Sequence, residues 1–318
     1  SGKALILAGG PHPSGAPDEV LAMGADAVVK GEGEAVLTGL ARDILDGKRP
    51  GSGIISGQAG QGLDAFPPFS LRWRMFGYIE ITRGCPFLCS YCQTPRLFGA
   101  RQRHRSLENI FSLAARMRAE GLRDIRFLSP DAFAYGSENG RAPVPEKLEA
   151  LLKGTREAVG ADGKIFFGTF PSEVRPEHVD RDTLSLTRRY AANKRLVIGA
   201  QSGSPRMLEA IKRGHTVEDV YRAVGLAAGA GFETDVDFIF GLPGETETDA
   251  ELTLKVIADL TGMGARIHAH TFMPLPQTAF AGKVPAPLSA RTEKALRTIC
   301  SRGQAFGQWE KQRLISGG

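Results

Sequence analysis

Three of the four cysteines fall within eight residues, in the run Arg83-Gly84-Cys85-Pro86-Phe87-Leu88-Cys89-Ser90-Tyr91-Cys92. Three thiolates on one short loop can converge on one metal centre, and thiolates select soft or borderline metals, notably zinc or the iron of clusters. A cubane cluster held at three irons leaves a fourth iron open, and that iron can chelate a small molecule through its amino and carboxylate groups. Structural zinc needs a fourth ligand, for which Cys300 and His104 are the candidates, and neither has zinc-like spacing. A disulfide fits less well, because closely spaced cysteines without a secretory signal read as metal or redox chemistry. Cys300 belongs to the apolar pattern Leu296, Ile299, Cys300 and reads as core.

A second set of residues could move protons or grip a substrate: Asp131, Tyr135, Arg175, Asp237, His268 and His270. His268 and His270 alternate along a strand-like run, so both face one side, either as substrate contacts or as packed histidines. His215, after Arg213-Gly214, reads as a helix-terminal group. The densest basic stretch is Arg96, Arg101, Arg103, His104 and Arg105. It reads first as a solvated face with structural arginines, and otherwise as a grip on an anionic group or a dock for an acidic flavodoxin or ferredoxin.

The elements that must position these groups alternate in type along the chain, the pattern of an α/β fold with a largely parallel sheet. Strands are expected at residues 78–82, 125–128, 165–169, 196–199, 234–240 and 267–272. Helices are expected at 106–120, with Ser106 as N-cap, and at 145–159, 181–190, 217–230 and 246–263. Six βα units make a partial barrel whose ligands gather at the carboxyl ends of the strands. The segments at those ends are 129–136, 170–175, 201–204 and 241–245, each mixing polar side chains with Gly or Pro. A Gly-, Pro-, Ser- and Gln-rich linker divides the chain, giving units at 1–50, 51–74 (linker), 75–280 (barrel) and 281–318 (helical extension).

With 318 residues, 42% hydrophobic, the chain can bury one large core and a smaller one. It has no run of 18 apolar residues, so no membrane span is expected. A net charge of +5 is too modest to call for nucleic acid. Unpaired cysteines and an oxygen-sensitive cluster fit the cytoplasm.

The cysteine loop, with Tyr91 just before its last cysteine, resembles the signature of the radical S-adenosylmethionine (SAM) superfamily. The resemblance extends through Gln201-Ser202-Gly203-Ser204 and Phe238-Ile239-Phe240-Gly241-Leu242-Pro243-Gly244-Glu245, covering nearly all of residues 78–275. It implies a 4Fe-4S cluster on Cys85, Cys89 and Cys92, Tyr91 against adenine, and Gln201 and Ser202 at the SAM ribose. Glu173 would meet the methionine or ribose end. Ser129, in Ser129-Pro130-Asp131, stands where many relatives carry a Gly-Gly-Glu stretch for the SAM amino group. Reductive cleavage of SAM to a 5'-deoxyadenosyl radical is the implied chemistry, with a flavodoxin or ferredoxin as reductant.

Residues 9–13 and 24–34 resemble the last third of a cobalamin-binding, flavodoxin-like domain, with short strands at 4–7 and 27–29 and with Gly9 and Gly10 approaching a flat ligand. His12, between prolines, reads as a loop residue. The chain is expected to be either a piece of a longer protein or a barrel capped by a remnant of that domain. Together with Arg213-Gly214-His215-Thr216 and the closing Gly307-Gln308-Trp309-Glu310-Lys311-Gln312, this arrangement resembles the cobalamin-binding-domain radical SAM subfamily. The implied activity is cobalamin-dependent methyl transfer to an unactivated carbon of a small-molecule, peptide or lipid substrate. The alternatives are cobalamin-independent rearrangement or cyclisation, and a non-catalytic iron-sulfur carrier or sensor. Sulfur insertion ranks lower, since it normally draws on a second cluster and Cys300 is the one cysteine left.

Overall fold

The computed structural model describes residues 4–49, 51–58 and 60–317. Its N-terminal unit is a parallel sheet of β1 (Leu7–Gly9), β2 (Ala27–Lys30) and β3 (Gly53–Ser56), in that order. The first strand starts at Leu7, later than residues 4–7 suggested, because the backbone pairing with β2 runs Leu7 to Ala27, Ala8 to Val28 and Gly9 to Val29. The expected linker is also corrected in part: its residues 53–56 form β3, paired in parallel with β2. With just Ile54 and Ile55 as apolar residues in a Gly-rich stretch, the sequence hid a strand whose partner lies across a helix.

The main unit opens with β4 (Ile79–Glu80), which pairs in parallel with β7 (Asp124–Leu128). After Ile81 the chain leaves the barrel. The segment β5 (Thr82–Arg83) pairs instead with the antiparallel β6 (Arg103–His104), so the single expected strand at 78–82 is divided in two. Next to β7 lies β8 (Lys164–Phe166), shorter than the expected 165–169. Gly168 turns the backbone away at a φ of 74°, where a Cβ would lie 2.8 Å from Leu196. Val174 then rejoins the sheet beside Ile198 of β9 (Arg195–Gln201). Beyond it, β10 (Glu233–Phe240), β11 (Arg266–Thr271) and β12 (Ala305–Phe306) continue the parallel order. The carboxyl-terminal extension thus contributes a strand as well as helices, its pairing invisible in two residues of sequence.

Helices Pro145–Val159 and Arg181–Tyr190 match expectation, and Leu107–Ala119, Val217–Gly229 and Glu247–Gly262 end within a residue of it. Their starts are fixed locally: the Ser106 hydroxyl accepts from Asn109 N at 3.2 Å, and Thr216 and Thr246 form capping boxes with Asp219 and Asp249. The core joins strand residues Ile79, Phe127, Ile198 and Phe238 to helix residues Leu113, Leu151, Val224 and Leu260. No helix among the described residues is long and apolar enough to cross a membrane.

Five charged side chains tie the two units together. Glu32, just past β2, is bound by Arg103 of β6 through both carboxylate oxygens, at 2.5 and 2.9 Å, and by Arg83 of β5 at 2.9 Å. Arg83 also holds Glu80 through two bonds, at 2.8 and 2.6 Å, and Glu34 at 2.7 Å. Burial alone would raise the Glu32 carboxyl, but the bonds from Arg103 and Arg83 outweigh it and hold it below its usual range. Arg105 is buried against the carbonyls of Glu80 and Phe66 and the Asn109 side chain. Arg103 and Arg105 are therefore structural, while Arg96 and Arg101 are exposed.

Candidate functional site

The cysteine loop is held at both ends. Cys85 N donates to Gly99 O at 3.2 Å, and Ser90 N donates to Ile211 O at 2.9 Å, which seats the loop on the segment after β9. Gly84 is required there: its φ is 90°, and a Cβ would lie 2.3 Å from Arg101 O. Cys89 is buried, and Cys85 and Cys92 are half-buried. Among the described residues, the only His, Cys, Asp or Glu donors gathered within 4.8 Å of one another in a group of three lie elsewhere, so the cysteines stand too far apart for one tetrahedral ion with bonds of about 2.3 Å. Burial pushes the free Cys85 thiol up to about 11, against the Phe87 N–H, so a metal is needed to make it a thiolate at neutral pH.

Two buried guanidinium groups back the loop. Arg213 places Nη1 3.8 Å from Cys89 Sγ and donates from Nη2 to Gly199 O at 2.7 Å, while its Nε is buried without a partner. Arg175 lies 3.4 Å from the Phe87 ring centroid and donates to the Arg213 carbonyl and to Glu177. Cationic charge beside thiolates offsets the negative charge of an iron-sulfur site. The sequence offered Arg175 as a candidate but held Arg213 only as part of a hallmark run. His215 bonds Thr216 O through Nδ1 at 3.0 Å, and burial, reinforced by Arg213, pushes it down to about 4.

A cavity of about 310 Å³ opens beside the loop at the carboxyl ends of β9 to β11, lined among others by Tyr91, Gln201, Asp237 and His270. Gln201 enters it because β9 is irregular there: the register shifts between Asp237 and Phe238, and Gln201 has a φ of 72°. Along β11, Ile267, Ala269 and Thr271 are buried while His268 and His270 share the other face, as the alternation predicts. His268 Nδ1 lies 3.0 Å from Asp237 Oδ1 and 3.2 Å from His270 Nε2. Burial raises the Glu173 carboxyl, and the Asp237 charge raises it further while His268 lowers it, which places Glu173 in the same electrostatic group. Burial, with His268 alongside, lowers His270.

The structure separates the remaining candidates from this cavity. Asp131 accepts from Phe133 N and faces His178 Nδ1 at 2.5 Å, deep in the core, so its carboxylate is committed to a cap and a buried pair. Tyr135 donates its hydroxyl to Arg105 O at 2.8 Å and is equally committed. The Ser202 hydroxyl turns to Thr253 and Ser204 N, on the helix side of the strand, and does not reach the lumen. Ser129 is buried outside that cavity, and its hydroxyl has no hydrogen-bond partner. Gly9 and Gly10 line a second cavity of about 430 Å³ at the carboxyl ends of β1 and β2.

The loop 241–245 closes on itself: Glu245 accepts from Gly241 N at 2.6 Å, and its other oxygen is buried without a partner. Burial, opposed by the Gly241 N–H, raises this carboxyl from 4.5 to about 7. A folded pKa above the unfolded one stabilises fully below pH 4.5, and that stabilisation is lost as pH rises through about 7. Glu245→Gln keeps the neutral form, so it should match the parent near pH 4.5 and exceed it by up to about 3 kcal/mol at pH 8. Anaerobic denaturant unfolding at the two pH values checks this; equal stability at pH 8 removes the argument.

The comparisons with known proteins agree with this geometry. The radical SAM superfamily matches residues 79–257. An uncharacterized protein of Methanopyrus kandleri is 27% identical over 368 residues, covering 96% of this chain and 68% of that protein. The tRNA-2-methylthio-N(6)-dimethylallyladenosine synthase of Bordetella petrii is 29% identical over 203 residues, covering 62% of this chain and 40% of the synthase. Among solved structures, the radical SAM methyltransferase TsrM of Kitasatospora setae, with cobalamin and a 4Fe-4S cluster bound, superposes with a TM-score of 0.68 at 20% identity, over 87% of this chain and 59% of TsrM. At that identity the likeness concerns the fold, and the chain spans well under two thirds of the synthase and of TsrM. A parallel barrel that carries its three loop cysteines beside a cavity at its strand ends, matched over more than half its length, makes this chain a member of the radical SAM superfamily.

Proposed function

We propose that this chain is a cobalamin-dependent radical SAM methyltransferase acting on an unactivated carbon. A bound, reduced 4Fe-4S cluster would give one SAM an electron, yielding methionine and a 5'-deoxyadenosyl radical that takes hydrogen from the substrate, while a second SAM would supply the methyl group by way of cobalamin and leave as S-adenosylhomocysteine. Cys85, Cys89 and Cys92 would hold the cluster, with Arg213 and Arg175 offsetting its charge. Tyr91 and Gln201 would line the adenosine side of the cavity. Glu173, Asp237, His268 and His270 would face the substrate, and a flavodoxin or ferredoxin would deliver the electrons.

The observation that carries the cobalamin half is the 430 Å³ cavity. Gly9, Gly10, Gly31 and Gly33 line it from the N-terminal sheet, and Leu97 and Phe98 line it from the segment that follows the cysteine loop. No heavy atom lies within 4 Å of where a Cβ of Gly10 or Gly31 would stand, so a flat ligand can approach the backbone closely. The position between strand ends and cluster segment suits a group that must meet the reacting centre. The likeness to methylthio synthases favours a second reading, sulfur-methyl transfer to tRNA.

Full-length protein, reconstituted anaerobically and reduced with SAM present, separates these readings by mass spectrometry. S-adenosylhomocysteine that forms only when cobalamin is added supports the proposal. A methylthiolated product on added tRNA transfers the reading to sulfur insertion. 5'-Deoxyadenosine alone, indifferent to cobalamin, leaves a cobalamin-independent radical enzyme, and no product from cluster-loaded protein points to a carrier or sensor.

A further inference from the structure

Asp237, His268 and His270 form a group that the cluster chemistry does not use. They lie on neighbouring strands, in register at Asp237 and His268, and their ligand atoms all fall within 4.8 Å. Asp237 Oδ1 and His268 Nδ1 are 3.0 Å apart, and His268 Nδ1 and His270 Nε2 are 3.2 Å apart. Adjacent donors around an ion with bonds of about 2.0–2.2 Å are separated by roughly 2.9–3.5 Å. Both distances fall in that range.

Hydrogen bonds alone serve this group poorly. If His268 Nδ1 carries a proton, Asp237 and His270 must share it. If it is bare, it can accept from His270 Nε2, but its lone pair then faces the Asp237 carboxylate at 3.0 Å. No placement of protons on neutral imidazoles gives each contact its own donor. A cation among the three satisfies all of them at once.

The surroundings are built for such an ion. His268 stacks on Phe306 of β12 with centroids 4.4 Å apart and planes 5° from parallel, which fixes its ring. Gln312, held by Thr271 N at 2.9 Å, stands 3.4 Å from His270 Nδ1. Toward the amino ends of the strands Asp235 is neutralised by Arg195 and Arg266, and among the described residues no arginine or lysine pairs with Asp237. Asp237 and His270 both line the 310 Å³ cavity, which leaves the remaining coordination positions open to a ligand there.

We propose that Asp237 Oδ1, His268 Nδ1 and His270 Nε2 bind one divalent transition-metal ion in the barrel lumen, separate from the cysteine-held cluster and open to an oxygen or nitrogen donor of the substrate. Two imidazoles and one carboxylate with free positions suit zinc, iron(II) or manganese. The cavity places such an ion on the side of Tyr91 and Gln201, where it would orient a chelating substrate group. The proposal does not depend on which radical reaction the protein performs.

Zinc(II) added to the cluster-loaded full-length protein under anaerobic conditions tests it. After desalting, one zinc per chain is expected, and zinc-edge X-ray absorption should show imidazole and oxygen scattering at about 2.0–2.1 Å without the roughly 2.3 Å sulfur shell of cysteine ligation. His270→Gln and Asp237→Asn should each weaken zinc binding by at least about 10-fold while iron content and far-UV circular dichroism stay at parent values. A sulfur shell, no retained zinc, or undiminished binding in both variants overturns the proposal. If a variant loses its fold, the parent's absorption spectrum decides alone.

Discussion

Alanine at Cys85, Cys89 or Cys92 is expected to strip the protein of its cluster and to lower SAM cleavage by more than about 100-fold, beyond what loss of a neighbouring hydrogen bond costs a metal site. Each thiolate would serve one iron, and the fourth cysteine is no substitute: Cys300 lies half-buried on the helix Ala290–Ser301 and packs on the core. Cys300→Ala should accordingly leave iron content unchanged. Arg213→Gln should fall between, near the 10- to 100-fold loss typical of groups that tune a ligand, because the guanidinium touches Cys89 without holding metal. Iron and sulfide analysis with 5'-deoxyadenosine measurement reads all five variants. Full iron and full activity in any one loop variant would remove that cysteine from the cluster.

Glu32→Ala should destabilise the protein by about 3–5 kcal/mol, the range for removing one partner from a buried ion pair. The Glu32 side chain is only 3% exposed, and Arg103, 15% exposed, would lose its carboxylate partner beside Arg83, which keeps Glu80 and Glu34. The same substitution cuts the tie between the N-terminal sheet and the barrel, so limited proteolysis should release fragments from residues 4–57 first. Adding Arg103→Ala should recover part of the loss, since it removes the cation that Glu32 had paired, while Arg83 keeps Glu80 and Glu34. The lowered Glu32 carboxyl stabilises above its unfolded pKa of 4.5, and that stabilisation is lost as pH falls through the lower folded value. The difference between parent and Glu32→Ala should therefore shrink in acid. A loss under about 1 kcal/mol at pH 7 would show that the tie is no stronger than a surface pair.

The three loop cysteines, the helix starts and the positions of most barrel strands were legible because each rests on neighbours in sequence. Thiolate spacing is set within eight residues. Ser106, Thr216 and Thr246 meet their partners three residues away. A buried parallel strand reads as an apolar run wherever its partners lie. For the same reason β11 announced that His268 and His270 share a face.

Which polar groups reach the cavity was settled by contacts across long stretches of chain. Asp131, Tyr135 and Ser202 carried the right chemistry at the right strand ends, yet they pair with His178, Arg105 and Thr253, between 30 and 51 residues away. Asp237, His268 and His270 come together only once β10 and β11 lie side by side. The latch of Arg83 to Glu32 spans 51 residues, and β3 and β12 acquire their meaning as strands only from the neighbours they pair with. By itself the sequence determined the metal chemistry and the alternation of elements, since ligand type, capping and hydrophobic period are local properties. The tertiary structure decided which side of each strand end faces the lumen and which charges are spent on holding the two units together, because burial and pairing are properties of the packed chain.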